Sequence, residues 1–135
     1  MDRVFSKIDP KILLHVIHRK SDFVEARCEL SSEDQYIQAL CLIFNKGRNV
    51  PAHKHLETNR IVNLTQEVVI IIEGELEANY YDLDNSFIKK VILREGDCAV
   101  TFRGGHGFKA LTDNTKLYEI KNGPYYGKEK DKVGI

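Results

Sequence analysis

The chain has 135 residues and carries 20 Lys and Arg against 20 Asp and Glu, so its formal net charge at neutral pH is zero. This length corresponds to one domain that can bury a substantial core without help from disulfides or a structural metal. A neutral chain lacks the broad positive field that drives binding to nucleic acid or to an anionic membrane. These properties favour a protein that binds a small molecule.

Charged residues interrupt every apolar run, beginning with MDRVFSKIDPKILL, so neither a signal-peptide core nor a membrane-spanning segment is predicted. We therefore expect a cytoplasmic protein. The three cysteines, Cys28, Cys41 and Cys98, are odd in number and widely spaced. This pattern favours free thiols over a disulfide framework or a CxxC-type metal site.

Short apolar or alternating runs follow one another along the chain, separated by turns rich in Gly, Asn, Asp and Pro. These runs predict strands at LLHVIH, YIQALCLIF, EVVIII, LEANYY, FIKKVIL, CAVTF and KLYEI. Ser31-Ser32-Glu33-Asp34 predicts one helical turn, and Asp84-Asn85-Ser86 predicts the turn of a hairpin. Many short strands in a small domain predict an all-β sandwich or barrel with little helix.

The predicted organisation is a single domain over residues 1–135. It comprises an N-terminal strand or arm at residues 1–30, a barrel at 31–122 and a tail at 123–135. Residues 36–44 are apolar at nearly every position, which is typical of a strand covered on both faces. The tail is polar and glycine-rich, so we expect a partly ordered arm.

Two histidines one residue apart, His53 and His55, follow Pro51 and are the first candidates for chemistry. In a strand both side chains project to the same side and can hold one metal ion between them. Proline suits the start or edge of such a strand. Because divalent ions bind firmly only when three or four donors converge, a site needs further ligands.

Glu67 and His106 are the candidates for these further ligands. Glu67 lies in TQEVVIII, where an ionised carboxylate is costly to bury unless it is paired with a cation or a metal. His106 lies in TFRGGHGF, where the glycines permit backbone angles that other residues resist. Glu57, two residues after His55, forms a rival His-x-His-x-Glu ligand set on one strand.

Three other groups of side chains have weaker signals. His15 and His18 in LLHVIH are three residues apart, so a strand places them on opposite faces and a structural role is favoured. Arg103 could bind a carboxylate or phosphate through two hydrogen bonds, although an arginine at a strand end is more often a solvated surface group. Tyr118 and Glu119 are adjacent on the last predicted strand, so one must face inward and could act as a catalytic base.

A family resemblance follows from these residues. Gly47, His53, His55, Glu67 and Gly74 read G-x5-H-x-H…E-x6-G, which resembles the first motif of the cupins. GDCAVTFRGGH resembles the start of their second motif. Two departures are an eleven-residue spacing between His55 and Glu67, which is longer than in cupins, and Phe102 in place of a proline. His106 also comes one residue early.

Longer phrases extend the resemblance from about Leu30 onward. TQEVVII, YYDLD, GDCAVTFRGGH and YEIKNGPYYGKEKDK are similar to small bacterial RmlC-like cupins of the WbuC type, which are found among surface-polysaccharide genes. The resemblance implies a cupin jelly-roll β-barrel, also called a double-stranded β-helix. It also implies one divalent metal ion (Fe, Mn, Ni or Zn) on the ligands His53, His55, Glu67 and His106.

Such a ligand set leaves two adjacent positions open on a six-coordinate ion. The leading expectation is an isomerase or epimerase acting on a small oxygen-rich molecule such as a sugar or nucleotide sugar, with Arg103 binding its anionic end. The same ligands with Fe(II) fit a dioxygenase, and a barrel without turnover fits a sugar-binding or metabolite-binding module. We also expect a homodimer, formed when the edge of LLHVIH pairs with its equivalent in a second subunit.

Overall fold

A computed structural model describes all 135 residues and contains ten β-strands and very little helix. The strands are β1 Asp2–Phe5, β2 Leu13–His18, β3 Arg27–Glu29, β4 Leu40–Leu42, β5 Glu67–Glu73, β6 Glu75–Tyr81, β7 Phe87–Arg94, β8 Cys98–Thr101, β9 Gly105–Ala110 and β10 Lys116–Lys121. A 3-10 turn covers Lys20–Asp22, and the helix α1 covers Lys128–Asp131. The prediction of an all-β fold with little helix is confirmed.

The strands form three antiparallel sheets. The largest has five strands in the order β1-β2-β8-β5-β10, the second has three strands in the order β7-β6-β9, and β3 and β4 form a two-stranded ribbon. The sheets stay separate and do not close into a barrel. No helix is long and apolar enough to cross a bilayer.

The five-stranded and three-stranded sheets pack face to face. Side chains alternate across each strand, so every second residue points into the space between the sheets. The core there contains Val4, Ile17, Val69, Ile71 and Ala99 from the larger sheet, and Leu76, Ala78, Tyr80, Val91 and Leu93 from the smaller one.

The β3–β4 ribbon and the residues next to it cover part of the outer face of the five-stranded sheet. A second hydrophobic core forms between them, where Leu30 and Cys41 pack over Val68 and Val100. Strand β5 is therefore apolar on both faces, which explains its continuous run of Val and Ile. All three cysteines are free thiols, as predicted. Burial raises the pKa of Cys98 to about 12, so this thiol is a poor nucleophile at neutral pH.

The predicted hairpin turn is present, whereas a simple hydrogen-bonded turn takes the place of the predicted helical turn. Strands β6 and β7 form a hairpin, and Asn85 adopts a left-handed φ of 68° in its turn. The backbone N–H of Gln35 donates to the carbonyl of Ser32 over 3.1 Å and closes a turn over residues 32–35, but no helix forms there.

Two strand predictions are wrong. Only Leu40–Leu42 of residues 36–44 forms a strand, and within it Cys41 alone is buried, because the ribbon has a sheet on one side only. Residues 43–66 contain no strand, so His53 and His55 do not lie on one. From Pro51 onward this segment is mainly polar and offers no alternating apolar face that could pack on a sheet.

The expected position of LLHVIH at a sheet edge is also wrong. This run is β2, and it is paired with β1 on one side and β8 on the other. The preceding residues fold back onto it as a hairpin and use its hydrogen-bonding edge. The free edges of the larger sheet are β1 and β10, so pairing with a second subunit through β2 is blocked.

Candidate functional site

One end of the sandwich carries polar side chains in register across the five-stranded sheet. His15 of β2 pairs with Thr101 of β8, Thr101 also pairs with Glu67 of β5, and Glu67 pairs with Lys121 of β10. Directly paired residues on neighbouring strands point to the same face of a sheet. These four residues, here called the polar row, therefore all face the three-stranded sheet.

Two residues of the three-stranded sheet face the polar row. Tyr80 of β6 pairs with His106 of β9, and both point inward. The rings of His15 and Tyr80 are 4.3 Å apart between centroids. His106 Nε2 lies 3.3 Å from Glu67 Oε1. The sheets, which elsewhere meet through hydrophobic residues, therefore meet here through polar ones.

Glu67 is held as a carboxylate even though its side chain is only 8% exposed. Burial raises the pKa of this group, but the hydrogen bond and charge of His106 act in the opposite direction. The charges of Lys121 and Lys132 add to this effect, so the pKa lies below the usual glutamate value. Lys121 Nζ lies 3.6 Å from Glu67 Oε2 and 2.7 Å from Glu119 Oε1.

A cavity of about 720 Å³ opens at this end of the sandwich. Its wall includes Glu67, Thr101, His106 and Lys121, together with the turn between β6 and β7. Only 5 of its 19 lining residues are hydrophobic, which suits a polar ligand better than an apolar one. The volume lies in the range of small-molecule sites. We call this cavity the polar pocket.

Four of the residues predicted from the sequence line the polar pocket: Glu67, His106, Arg103 and Glu119. Glu119 is therefore the inward-facing member of the adjacent pair on β10. Tyr118 lies on the opposite face of that strand, where it pairs with Ile70 and is 64% exposed.

His53 and His55 lie elsewhere, on the exposed segment 43–66. Their ring centroids are 5.5 Å apart, and His53 Nδ1 hydrogen-bonds to the carbonyl of Pro51 over 2.9 Å. Neither histidine lines the polar pocket, and Glu57 is also exposed on this segment. No three His, Cys, Asp or Glu side chains are grouped so that they could hold a metal ion. Of the four predicted ligands, the structure thus brings together only Glu67 and His106.

The segment with the two histidines nevertheless ends at the pocket. Leu64 and Thr65 line it directly before Glu67. Eleven residues separate His55 from Glu67, and an extended chain of that length spans up to about 40 Å. The imidazole and carboxylate already assembled are donor types that first-row divalent ions accept, but they are two of the three or four donors that firm binding needs. A metal site here would need further ligands, and the contour length of the segment does not by itself exclude His53 and His55.

The sequence did not indicate the importance of His15 and Tyr80. His15 Nδ1 lies 3.1 Å from Thr101 Oγ1, while His15 Nε2 and the Tyr80 hydroxyl are buried without a hydrogen-bond partner. Burial, together with the nearby charge of His106, lowers the pKa of His15 to about 3. His15 is therefore neutral at physiological pH. The pairing of β2 with β8 and the packing of His15 on Tyr80 relate it to the site.

Comparisons of the chain with protein-family models, curated proteins and solved structures found no match. The functional argument therefore depends on the polar pocket and on the residues that line it.

Proposed function

We propose that this chain is a cupin-type protein that binds one divalent metal ion and isomerises or epimerises a small oxygen-rich molecule, such as a sugar or nucleotide sugar of a surface-polysaccharide pathway. The Glu67–His106 pair carries this proposal. The two residues come from different sheets and from the two cupin-like motifs, and they meet at 3.3 Å in the wall of a polar pocket. Two antiparallel sheets packed face to face also agree with a jelly roll.

The metal ligands in this proposal are Glu67 and His106, with His53 and His55 from the segment that ends at the pocket. When bound, the ion supplies a Lewis acid that polarises a carbonyl oxygen of the substrate. The low pKa of Glu67 keeps its carboxylate free of a proton, as a ligand requires.

The other pocket residues bind the substrate and move a proton. Arg103 makes no ion pair within the chain, so its guanidinium is free to bind an anionic group. Glu119 faces the pocket and is fixed by Lys121 at 2.7 Å, which makes it the proposed base. Tyr118 faces away, so we assign it no part in catalysis.

A second candidate function is a non-catalytic module that binds a sugar or metabolite. One observation favours it: Lys121 and His106 already contact the Glu67 carboxylate, so this group has partners without a metal. A ligand that binds tightly to metal-free protein and is released unchanged is the expected behaviour of such a module.

Metal content separates the two functions. We would measure it by elemental analysis of protein purified without chelator or histidine tag, beside the variants His106→Ala, His53→Ala/His55→Ala and Glu57→Gln. We expect about one equivalent of Fe, Mn, Ni or Zn in the unaltered chain. The metal should be lost in the first two variants and kept in Glu57→Gln, with circular dichroism confirming that each variant is folded.

Three outcomes contradict the proposal in different ways. A chain that stays empty after incubation with each ion favours the metal-free module. Metal retained in the double histidine variant removes the segment 43–66 from the site. Metal lost in Glu57→Gln makes the rival carboxylate the ligand.

Turnover is tested by deuterium exchange. An isomerase or epimerase that removes a proton next to a carbonyl incorporates solvent deuterium into its substrate, which NMR detects for candidate sugar phosphates and nucleotide sugars. We expect Glu119→Gln to abolish exchange, while Glu95→Gln, an exposed carboxylate outside the pocket, should leave it unchanged.

A further inference from the structure

We infer that residues 128–135 form a strap that closes the polar pocket and supplies, through Lys132, a second cation for an anionic ligand. This inference depends on the proposed function only in taking the polar pocket as a ligand site. Asp131, Lys132, Val133 and Ile135 all line that pocket.

The strap is attached at two points. Near its middle, Thr65 Oγ1 donates a hydrogen bond to Asp131 Oδ1 over 2.6 Å. At the second point, Ile135 packs against Gly105 so closely that a Cβ on residue 105 would lie 2.5 Å from Ile135 Cδ1. The strap therefore spans from the start of β5 to the start of β9, across the end of the sandwich where Glu67 and His106 meet.

The attachment is weak enough to be released. The Thr65–Asp131 bond is the only side-chain hydrogen bond between the strap and the rest of the chain, and the strap makes no ion pair. Val133 and Ile135 remain 88% and 60% exposed. Segments with so few buried contacts open at a small cost in free energy. A ligand can therefore gain access by displacing the strap without unfolding either sheet.

The carboxylates of the pocket already have partners within the chain. Asp82 accepts hydrogen bonds from the Ser6 hydroxyl and the Lys7 N–H, and Asp131 accepts one from Thr65. Glu67 and Glu119 are paired with Lys121, as described above.

Two cations of the pocket have no such partner. Neither Arg103 nor Lys132 makes an ion pair, and they come from different walls, the turn between β8 and β9 and the strap. Both cations face the same cavity, since Arg103 and Lys132 line the polar pocket together. An anionic group bound to both cations would join the strap to the sheet and hold the pocket shut. The ligand class is a small molecule with a phosphoryl or carboxylate group.

Chemical labelling of His106 tests the strap. Diethyl pyrocarbonate modifies accessible histidines, and peptide mass spectrometry gives a separate rate for His106, with exposed His53 as the reference in the same sample. Deletion of residues 128–135 should raise the relative rate at His106 several-fold. Asp131→Ala, which removes one attachment, should raise it less. Unchanged rates in both variants overturn the strap.

Phosphate protection tests the anion site. Inorganic phosphate, compared with chloride at constant ionic strength, should slow His106 labelling in the unaltered chain. Lys132→Gln and Arg103→Gln should each abolish this protection, whereas Lys130→Gln should keep it, because Lys130 lies on the strap but does not line the pocket. No protection in the unaltered chain, or equal protection in Lys132→Gln and Lys130→Gln, overturns the site.

Acetate in place of phosphate then identifies the anionic group. Protection by phosphate alone assigns a phosphoryl group, and protection by both anions extends the site to carboxylates. The labelling is run on the protein as purified and after chelator treatment, and it needs no turnover. The strap can therefore be confirmed even if the chain binds no metal and has no activity. Conversely, the strap can be refuted even if the chain is an active metalloprotein.

Discussion

The imidazole of His15 packs against the ring of Tyr80 at 4.3 Å between centroids, and each side chain carries a buried polar atom without a hydrogen-bond partner. The two residues lie directly behind the candidate site, since Thr101 separates His15 from Glu67 and Tyr80 pairs with His106. A buried unsatisfied polar group costs about 1–3 kcal/mol. The layer behind the site therefore lowers the stability of the fold.

Removal of the Tyr80 hydroxyl should stabilise the chain. Tyr80→Phe keeps the ring in the core and deletes the unpartnered oxygen, so the free energy of unfolding should rise by about 1 kcal/mol. Urea denaturation measures this change, and Tyr118→Phe, on the exposed face of β10, should have no effect. A loss of stability in Tyr80→Phe would mean that the hydroxyl has a partner, such as a buried water.

Stability should increase with pH between about pH 4.5 and 6.5. The pKa of His15 is lowered from 6.5 to about 3 in the folded chain, so over this range the unfolded chain binds a proton that the folded chain does not. By linkage the slope from this residue approaches about 1.4 kcal/mol per pH unit. Below this window the lowered pKa of Glu67 acts in the same direction.

Urea titrations at several pH values measure this slope. His15→Leu removes the titrating group but keeps a side chain of similar size, so the slope between pH 4.5 and 6.5 should fall. His53→Gln, which changes an exposed histidine, should keep the original slope. An unaltered slope in His15→Leu would assign the pH dependence to another residue.

Gly104 should tolerate no side chain, whereas Gly107 should. Gly104 has a φ of +75°, and a Cβ at this position would collide with the Tyr81 carbonyl oxygen, while a Cβ at Gly107 would have nothing within 4 Å. Gly104→Ala should therefore destabilise the chain by about 3 kcal/mol. Gly107→Ala should change the free energy of unfolding by less than about 1 kcal/mol. Thermal melts of both variants test the difference, and equal effects would contradict it.

Asp97 should be a major contributor to stability, unlike its neighbour Glu95. The buried Asp97 carboxylate accepts hydrogen bonds from Arg19 Nη1 at 2.8 Å, from the Lys20 N–H at 2.9 Å and from the Arg94 N–H at 3.0 Å. Asp97→Ala leaves these donors unpaired and should cost about 2–4 kcal/mol. Glu95 pairs with Lys20 at the surface, so Glu95→Ala should cost less than about 1 kcal/mol. Denaturation midpoints compare the two, and a neutral Asp97→Ala would refute the prediction.

Much of the fold could be predicted from local patterns. EVVIII, LEANYY, FIKKVIL, CAVTF and KLYEI became β5, β6, β7, β8 and β10, because alternating or continuous apolar runs bounded by turn residues specify strands locally. Residues 36–44 failed because an apolar run does not reveal how many of its faces will be covered. The place of β2 inside the sheet was also hidden, since it depends on pairing with residues far along the chain.

The candidate site was predictable only in part. Glu67 and His106 were identified by their unusual contexts, a carboxylate in a Val/Ile run and a histidine among glycines. His53 and His55 have the same spacing in a strand or in an irregular segment, so spacing could not place them. The polar row depends on register between strands, and the role of the strap depends on its contact with Thr65. Neither leaves a local signal.

The register of the polar row limits how the length of the chain can change. Side chains alternate along a strand, so one residue inserted before Thr101 in β8 would turn its hydroxyl outward and disconnect His15 from Glu67. Segment 43–66 and the strap are paired with no sheet, and their lengths are not constrained in this way. We therefore expect that insertions and deletions in these two segments can change ligand preference without disrupting the fold. Within the strands, only substitutions are expected to be tolerated.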